Sequence, residues 1–304
     1  MPLPIVPASS AVDSGNDNGI FGYGGIGPSV QDMSNLVSDV GVVATDTTGV
    51  GTARQYIGAC EYGGDKGIFA YGAPAPGTYT AISNLVSNTG VIATDTSGVG
   101  QARTQMAACS YGEDKGIFGY GFNSPAGGYM NLTNLVSNTG VVGTDVTGVG
   151  SSRRYIAACE YGGDLGIFGY GGGPSGNLSV TNLVSNTGVV GTDVTGVGSN
   201  NQQLGACGYG DDKGIFGYGE PSGKTAHTNL VSNTGVVSTD VSGVGTARSR
   251  VAATQYGGDK GLFGYGTTPS STAITNLVSN TGVVATDTSG VGTARENLGA
   301  CSYN

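Results

Sequence analysis

The chain has 304 residues, of which 59 are glycine and none is tryptophan, and its formal net charge is −9 at pH 7. This acidic balance argues against a nucleic-acid partner, because binding to phosphates requires a basic patch that displaces counterions. No apolar run approaches the roughly 18 residues that a membrane-spanning helix needs, so we expect no membrane span.

Residues 1–16 are rich in proline and serine and have no counterpart elsewhere in the chain. Their beginning, MPLPIVP, lacks the charged region and the long apolar region of a signal peptide, which predicts that the chain is not exported by that route. We interpret the segment as an extended N-terminal arm. Two alternatives stay open, namely that it is disordered or that it docks on a neighbouring subunit.

From residue 17 onward, one phrase organises the sequence. DKGIFAYG at residues 65–72 recurs with small changes from positions 17, 114, 164, 212 and 259, a spacing of 47 to 50 residues. A fixed period of this length is typical of propeller blades and solenoid units. Short runs of Val, Ile, Thr, Tyr and Phe alternate with clusters of Gly, Asn and Asp, which indicates many short strands and an all-β chain.

One period read from Arg54 divides into four predicted strands. These strands are 57–62, 67–71, 84–87 and 91–95, joined by a tight turn at 63–66, a Pro/Gly/Ser-rich connection at 73–81 and a hairpin turn at 88–90. The Gly and Asp residues of the turns supply the positive φ angles and the backbone caps that such turns need. Four antiparallel strands in fewer than about 50 residues predict one blade of a β-propeller.

The two ends of the chain sharpen this prediction. The repeats begin at a second strand, residues 20–23, and the chain ends on a first strand, residues 298–303. If these two segments pair, a ring closes and both open sheet edges disappear. We therefore predict a six-bladed β-propeller over residues 17–304, with four antiparallel strands per blade. A β-solenoid is the alternative, but it would need unlike capping repeats.

The five cysteines share one position of the repeat, which Thr254 occupies in the remaining copy. They are Cys60, Cys109, Cys159, Cys207 and Cys301. An odd set without a CxxC pattern suggests small buried apolar side chains rather than disulfides. A ring of thiol metal ligands is the alternative, but His227 is the only histidine, so no multi-histidine centre or His-based triad can form. We expect no metal and no cofactor.

Opposite charges also recur with the period. The acidic set lies in the fourth strand and comprises Asp46, Asp95, Asp145, Asp193, Asp240 and Asp287. The basic set precedes the first strand and comprises Arg54, Arg103, Arg153, Arg248 and Arg295, with Asn201 in the remaining copy. We interpret both sets as structural salt bridges within or between blades. A ring of Asp residues that binds a cation is the alternative.

The order of these elements resembles that of kelch-type propellers over residues 17–304. An Arg precedes a small apolar strand, a Tyr-Gly-x-Asp turn, a strand ending in Gly-Tyr-Gly, a variable loop and Asn-Leu-Val-Ser. The chain departs from that family because Gly-Tyr-Gly replaces the double glycine and the Trp of the fourth strand is absent; the Val of Gly-Val-Gly, such as Val50, is expected to fill that space. The phrases GIFGYG, NLVSNTGVVATDT and GVGTAR also resemble kelch-like repeats of bacteriophage tail-fibre and other virion proteins. This resemblance implies a virion component.

Two segments of the repeat differ from copy to copy. One is the connection between strands two and three, at 25–32, 73–81, 122–131, 172–180, 220–227 and 267–274. The other is the pair of residues after the repeated Arg. In an up-and-down blade both emerge on the same face, and recognition residues concentrate on such loops. We predict a binding face with Tyr56, Gln105, Arg154, Tyr155 and Arg250 around a central channel, and Tyr79, Phe122, Tyr129, Lys224 and His227 further out.

No convergent set of unlike catalytic groups emerges from the sequence, so we predict that the protein is not an enzyme. We expect a binding or structural propeller of a phage virion, in a tail fibre or tail tip, that contacts a host receptor or a neighbouring virion protein. The partner is a protein or a glycan. The alternative is a lectin-like propeller with several equivalent glycan sites, which would bind with avidity.

Overall fold

The computed structural model describes residues 16–304, so the predicted N-terminal arm lies outside the described residues apart from Asn16. The described chain is all-β. Its strands are β1 Asn18–Gly22, β2 Gly25–Ile26, β3 Ser29–Val30, β4 Ser34–Val37, β5 Gly58–Tyr62, β6 Lys66–Ala70, β7 Ser83–Val86, β8 Ala107–Tyr111, β9 Lys115–Asn123, β10 Gly128–Val136 and β11 Ala157–Tyr161. They continue with β12 Leu165–Gly169, β13 Gly172–Gly173, β14 Gly176–Asn177, β15 Thr181–Val184, β16 Gly205–Tyr209, β17 Lys213–Gly217, β18 Thr228–Val231, β19 Ala252–Tyr256, β20 Lys260–Gly264, β21 Thr275–Val278 and β22 Gly299–Tyr303.

Six antiparallel three-stranded sheets carry the repeat. Their strand orders are β22-β1-β4, β5-β6-β7, β8-β9-β10, β11-β12-β15, β16-β17-β18 and β19-β20-β21. We call each sheet with its connections a unit, and number the units one to six in this order. The central strand of a unit is the repeated phrase; Ile68 and Phe69 of β6 are 0% exposed, as expected for an apolar run covered on both faces.

The segment predicted as a fourth strand differs from the expectation. In unit two it joins the third strand only through the isolated bridges Val86↔Ile92 and Ser83↔Thr96. Between these bridges the side chain of Asn84 enters the ladder, and its Nδ2 donates to Ala93 O at 3.0 Å and to Asp95 Oδ1 at 2.9 Å. The regular ladder stops there because a side chain replaces the main-chain hydrogen bonds.

The connections between the second and third strands are also more ordered than the sequence suggests. Two of them contain small hairpins, β2–β3 and β13–β14. The prediction of a connection at 122–131 is wrong at its ends, because β9 and β10 continue to Asn123 and from Gly128 and are joined by a 3-10 helix, Ser124–Ala126. Phe122 pairs with Tyr129 across this hairpin, with ring centroids 5.5 Å apart, so aromatic packing extends the sheet.

Main-chain hydrogen bonds link the units in a cycle. At one end, Gly63, Gly112, Gly162, Gly210, Gly257 and Asn304 donate in turn to the carbonyl oxygens of Asp114, Asp164, Asp212, Asp259, Asp17 and Asp65. The first strand of each unit also contacts the first strands of both neighbouring units, including β22 with β5. The C-terminal strand β22 pairs with β1, where Cys301 lies opposite Ile20.

Side chains of the repeated Gly-Tyr-Gly fill the space between units. Tyr71 is 0% exposed, packs edge-on against Phe118 of unit three at 5.4 Å, and donates its hydroxyl to Val99 O at 3.2 Å. The equivalent Tyr–Phe contact returns from unit six to unit one as Tyr265 against Phe21. The hydrophobic core is therefore a set of clusters between neighbouring units. Val50 of Gly-Val-Gly, expected to replace a missing Trp, packs against one of these clusters.

Helices contribute almost nothing to this architecture. Over residues 16–304 there is no helix long and apolar enough to cross a membrane.

Candidate functional site

A buried arginine organises the start of five of the six units, and Asn201 takes its place in unit five. Arg153 is 0% exposed; its Nε donates to Tyr170 O at 2.8 Å and its Nη2 to Asn182 Oδ1 at 2.6 Å. Its guanidinium also lies 4.2 Å from the ring centroid of Tyr120 in the preceding unit. Asn182 then donates to Asp193 Oδ1 at 2.9 Å. The arginine therefore joins two units, because it bonds Tyr170 and Asn182 within its own unit and stacks on Tyr120 of the preceding one.

The predicted Arg–Asp pairs meet mainly through this asparagine. Direct nitrogen–oxygen distances are long, at 4.0 Å for Arg103–Asp145 and 3.8 Å for Arg153–Asp193 and Arg295–Asp46. The same arginine-to-asparagine bond forms in four units: Arg54–Asn84, Arg103–Asn134, Arg153–Asn182 and Arg295–Asn35. Among the remaining residues of the two sets, Asn201 donates only to Tyr218 O, and Arg248 stacks on the Tyr218 ring without reaching Asn276.

The aspartates are held by the backbone that enters their own unit from the preceding one. Thr52 donates to Asp95 through its amide and its hydroxyl, the latter at 2.6 Å. Partial burial opposes ionisation of these carboxyls, but the hydrogen bonds outweigh it and lower the pKa of Asp46, Asp95, Asp193, Asp240 and Asp287. These acidic residues stabilise the links between units, and no group of three or more His, Cys, Asp or Glu side chains suited to a metal ion occurs within residues 16–304.

All five cysteines are buried and reduced. Each thiol packs against a glycine of the next unit, as Cys109 does against Gly166, where an added Cβ would lie 2.7 Å from Sγ. Burial raises the pKa of the Cys60 and Cys159 thiols well above the usual range. The thiols therefore stay protonated and serve as packing groups.

At the end of the molecule opposite the Gly–Asp hydrogen bonds, six residues form what we call the mouth ring. They are Tyr56, Gln105, Tyr155, Gln203, Arg250 and Asn297, and they line one end of the central channel, with a cavity of about 70 Å³ beneath them. Below this ring lies a layer of buried apolar side chains, Ile57, Met106, Ile156, Leu204, Val251 and Leu298.

The backbone of the mouth ring is closed on itself. Each member donates its amide N–H to the carbonyl oxygen of the member before it in the chain. Tyr56, the first member, donates to Asn297, the last, and this bond closes the cycle. The backbone of all six residues adopts the left-handed conformation, with φ between 54° and 59°. Non-glycine residues rarely adopt this conformation, and they hold it only where the surrounding structure enforces it. The side chains of the mouth ring are therefore presented in fixed directions.

The first residue of each variable pair lies outside the mouth ring. Arg154 is placed over three aromatic rings, with its Cζ 4.6 Å from Phe122, 5.1 Å from Tyr129 and 5.2 Å from Tyr155. Tyr155 in turn packs against Tyr56 at 5.9 Å. We call these five residues the aromatic cluster. It brings together five of the ten residues that the sequence assigned to a binding face.

A groove lies beside the aromatic cluster, between units two and three. Its volume is about 330 Å³, and its lining includes Gln55, Tyr56, Tyr79, Gln105 and Phe122. The Tyr79 hydroxyl accepts a hydrogen bond from the Ser124 amide at 3.3 Å, which ties the 73–81 connection to the next unit. No charged side chain is among the described residues that line the groove. Aromatic rings and amides make it suited to a neutral polar ligand.

An ion pair also lies on this face. Arg250 donates to Glu296 at 2.5 Å and to Gln203 Oε1 at 3.1 Å. Burial lowers the pKa of Arg250, but the carboxylate of Glu296 outweighs this effect, and the net shift is upward. Burial, with the nearby Tyr56, raises the pKa of Tyr155 to about 12, so its phenol stays protonated and accepts a hydrogen bond from Gln105 at 2.9 Å.

Two residues of the predicted face are not part of this assembly. Lys224 and His227 are exposed on the connection before β18, and neither contributes to the lining of the groove or of the mouth ring. The sequence reasoning placed them correctly in a variable connection, but adjacent variable connections do not all converge.

Some residues of the channel were not singled out by the sequence. Gln203 and Asn297 complete the mouth ring, and Glu61 and Glu160 line a second cavity near the Gly–Asp end. A signal existed for the glutamates, because their repeat position is occupied by Glu, Ser, Gly or Gln within an otherwise uniform strand.

Comparison with known proteins adds no assignment: no protein-family model and no curated protein matches the chain.

Proposed function

We propose that residues 17–304 form a six-bladed, kelch-like β-propeller whose blades are the six units. Support comes from the cyclic hydrogen bonds between units, the contact of β22 with β5 and the pairing of β22 with β1. In this proposal the bridged segment after each third strand is the reduced fourth strand of the blade. Such closure protects the edges of the sheets.

We propose further that the protein is a non-enzymatic binding protein that uses the face of the mouth ring. One observation carries this proposal: the segments that vary between units converge on the aromatic cluster and the adjoining groove. Arg154 comes from one variable segment and Phe122 and Tyr129 from another, yet the Arg154 Cζ lies 4.6 Å and 5.1 Å from the two ring centroids. Tyr and Arg clustered on a rigid scaffold are typical of energetically dominant interface residues.

The biological setting that we propose is a phage virion, with the protein in a tail fibre or tail tip. This part rests on the resemblance of the repeated phrases to virion proteins. The partner would be a host receptor or a neighbouring virion protein. Detection of this chain by mass spectrometry in purified phage particles tests the setting, and its consistent absence from infectious particles contradicts it.

A glycan receptor is the second candidate, because the groove combines Tyr56, Tyr79 and Phe122 with the amides of Gln55 and Gln105 and carries no charge. The residues that line the groove belong to segments that differ from unit to unit. A glycan would therefore bind at one principal site and not at the several equivalent sites expected from the repeats.

The test uses labelled protein on whole cells of candidate host bacteria and on a glycan array. We expect Tyr79→Ala and Phe122→Ala each to weaken binding by at least about tenfold, equivalent to about 1.4 kcal/mol. Lys224→Ala is the matched control, because Lys224 lies on the equivalent connection of another unit and does not line the groove, and this variant should bind like the parent. Unchanged binding by folded Tyr79→Ala and Phe122→Ala variants contradicts the assignment of the groove. Array signal without cell binding, or the reverse, separates glycan from protein receptors.

A further inference from the structure

Two glutamates line a second cavity of the channel, near the end where the Gly–Asp hydrogen bonds lie. A cavity of about 50 Å³ is lined by the middle residues of the six first strands. Side chains two apart on a strand point to the same side, so the channel contains a layer of alanines and then a layer of larger polar groups. The polar layer consists of Glu61, Ser110, Glu160, Gln255 and Ser302, and Gly208 holds the equivalent position in unit five.

The two glutamates have no basic partner. Neither Lys, Arg nor His is among the described residues that line the cavity, and neither glutamate forms a salt bridge there. Both glutamates come from first strands, β5 and β11, and they line the same cavity. Two carboxylates in so small a space are costly unless something neutralises them.

An additional oxygen lacks a partner in the same cavity. Ser302 is 1% exposed and lines the cavity with both glutamates, and its Oγ makes no hydrogen bond to any residue within 16–304. A buried hydroxyl without a partner is uncommon in folded proteins. Gln255 and Glu160 converge over Gly208, where an added Cβ would lie 3.3 Å from Glu160 Cγ. Glycine at this position leaves the space in which the polar groups meet.

We propose that this cavity binds one divalent cation of the hard, oxygen-seeking class, with Ca²⁺ as the best fit. Two carboxylates balance one divalent charge, and Ser302 Oγ supplies a further oxygen. Ca²⁺ accepts mixed carboxylate, hydroxyl and water ligands in flexible geometry, whereas Mg²⁺ demands a near-ideal octahedron. The proposal does not depend on the binding role of the opposite face.

The experiment measures thermal unfolding of the full-length protein after treatment with a chelator. Excess CaCl₂ is compared with NaCl at matched ionic strength, near neutral pH. At a Ca²⁺ concentration about 100 times Kd, we expect a rise in Tm of about 5 °C. Calorimetric titration should give one Ca²⁺ per chain. MgCl₂ should give a smaller rise in Tm.

Neutral isosteres locate the ion. Glu61→Gln and Glu160→Gln should each weaken Ca²⁺ binding by at least about tenfold, because each removes a ligand charge. The double variant should fold without Ca²⁺, since two amides need no counter-ion, and should be insensitive to it. Glu113→Gln, on an exposed turn, is the control and should keep the full Ca²⁺ response.

Two results overturn the proposal. One is a parent Tm that Ca²⁺ does not change beyond the NaCl control, which would leave the glutamates neutralised by protons alone. The other is a double variant that retains the calcium response, which would place the ion elsewhere, for example at the exposed aspartates.

Discussion

The repeated arginine serves a different purpose from the exposed ion pairs that its charge suggests. Arg153 satisfies carbonyl and amide oxygens in both directions along the chain and lies against an aromatic ring of the preceding unit. Arg153 therefore stabilises the fold mainly through buried hydrogen bonds, and its 3.8 Å contact with Asp193 adds to them. Asn201 shows what remains when the side chain is shortened, namely one bond to the Tyr218 carbonyl.

Arg153→Ala tests this interpretation. The substitution leaves Asn182 Oδ1 and the carbonyl oxygens of Tyr170 and Ser151 without their donor, so we expect the free energy of unfolding to fall by about 3 kcal/mol or more. Asn201→Ala removes two hydrogen bonds, one to Tyr218 O and one from the Gln202 amide, and should cost about 1–2 kcal/mol. Urea denaturation of both variants gives the comparison. Equal losses would show that the arginine network contributes nothing beyond the shared carbonyl bond.

The aspartates of the same network predict acid sensitivity. Their pKa values are lowered in the folded state, so they stabilise it at pH values above the pKa of the unfolded chain, and this contribution disappears as pH falls through the lowered pKa. We expect the unfolding free energy to decrease steadily below about pH 4. Asp95→Asn should reduce that slope, which urea titrations at several acidic pH values will measure. A variant with the slope of the parent would show that other carboxyls control acid unfolding.

At the scale of the element, the tight turn between the first and second strands contains its own internal comparison. Gly64, Gly163 and Gly258 adopt φ between 76° and 83°, whereas the equivalent Glu113 and Asp211 adopt φ of 68° and 66°. All of these are left-handed, and a Cβ at Gly64 or Gly163 would meet no atom within 4 Å. Strain at Glu113 and Asp211 is therefore a property of the backbone and not of crowding.

Glu113→Gly should consequently stabilise the protein by up to about 1 kcal/mol. Glycine adopts the left-handed conformation without strain, and this gain exceeds the larger conformational entropy that glycine loses on folding. Gly64→Ala should destabilise it by a similar amount. Thermal denaturation of both variants gives the two signs. If both substitutions shift Tm in the same direction, backbone conformation is not what distinguishes the units at this turn.

The sequence predicted the central strands and the turns well because their signals are local. Glycine and aspartate specify the turn at 63–66, and the apolar run specifies the second strand. The reduced fourth strand was not predictable, since its interruption depends on Asn84, which reaches across from the third strand. Likewise, β9 and β10 extend through the packing of Phe122 on Tyr129, a contact between residues in a segment that composition alone marks as a loop.

In the candidate site, too, the features with local or periodic signals were predictable and those that depend on tertiary contacts were not. Periodicity placed Tyr56, Tyr155 and Arg250 at one end of the channel, because equivalent positions in equivalent units must lie at equivalent heights. It could not predict that Arg154 would turn away to stack on Phe122 and Tyr129, since those rings belong to the connection of one unit only. Side-chain convergence between unlike segments depends on tertiary packing, which a repeat pattern does not contain.

At the scale of the whole molecule, stability depends on the contacts that join unit six to unit one. Every unit has two neighbours only because β22 completes the sheet of β1 and β4, and Tyr265 meets Phe21. Without that closure, β1 would expose an unpaired edge, and the clusters on both sides would lose apolar partners. In the closed ring that we propose, we expect the six units to unfold as one cooperative body, unlike an open repeat array whose ends can fray separately.

Deletion of residues 298–304 tests this account directly. It removes the buried side chains of Leu298, Cys301 and Tyr303, together with all hydrogen bonds between β22 and β1. At about 1.5–3 kcal/mol for each large apolar side chain, the loss is comparable to the whole stability of a typical domain. We expect the truncated chain to aggregate or to lose cooperative unfolding in calorimetry. A synthetic peptide of residues 298–304, added during refolding, should restore a cooperative transition because it can pair with β1, whereas a peptide of the same composition in scrambled order should not. A truncated chain that unfolds as cooperatively as the parent would show that the units are stable without closure.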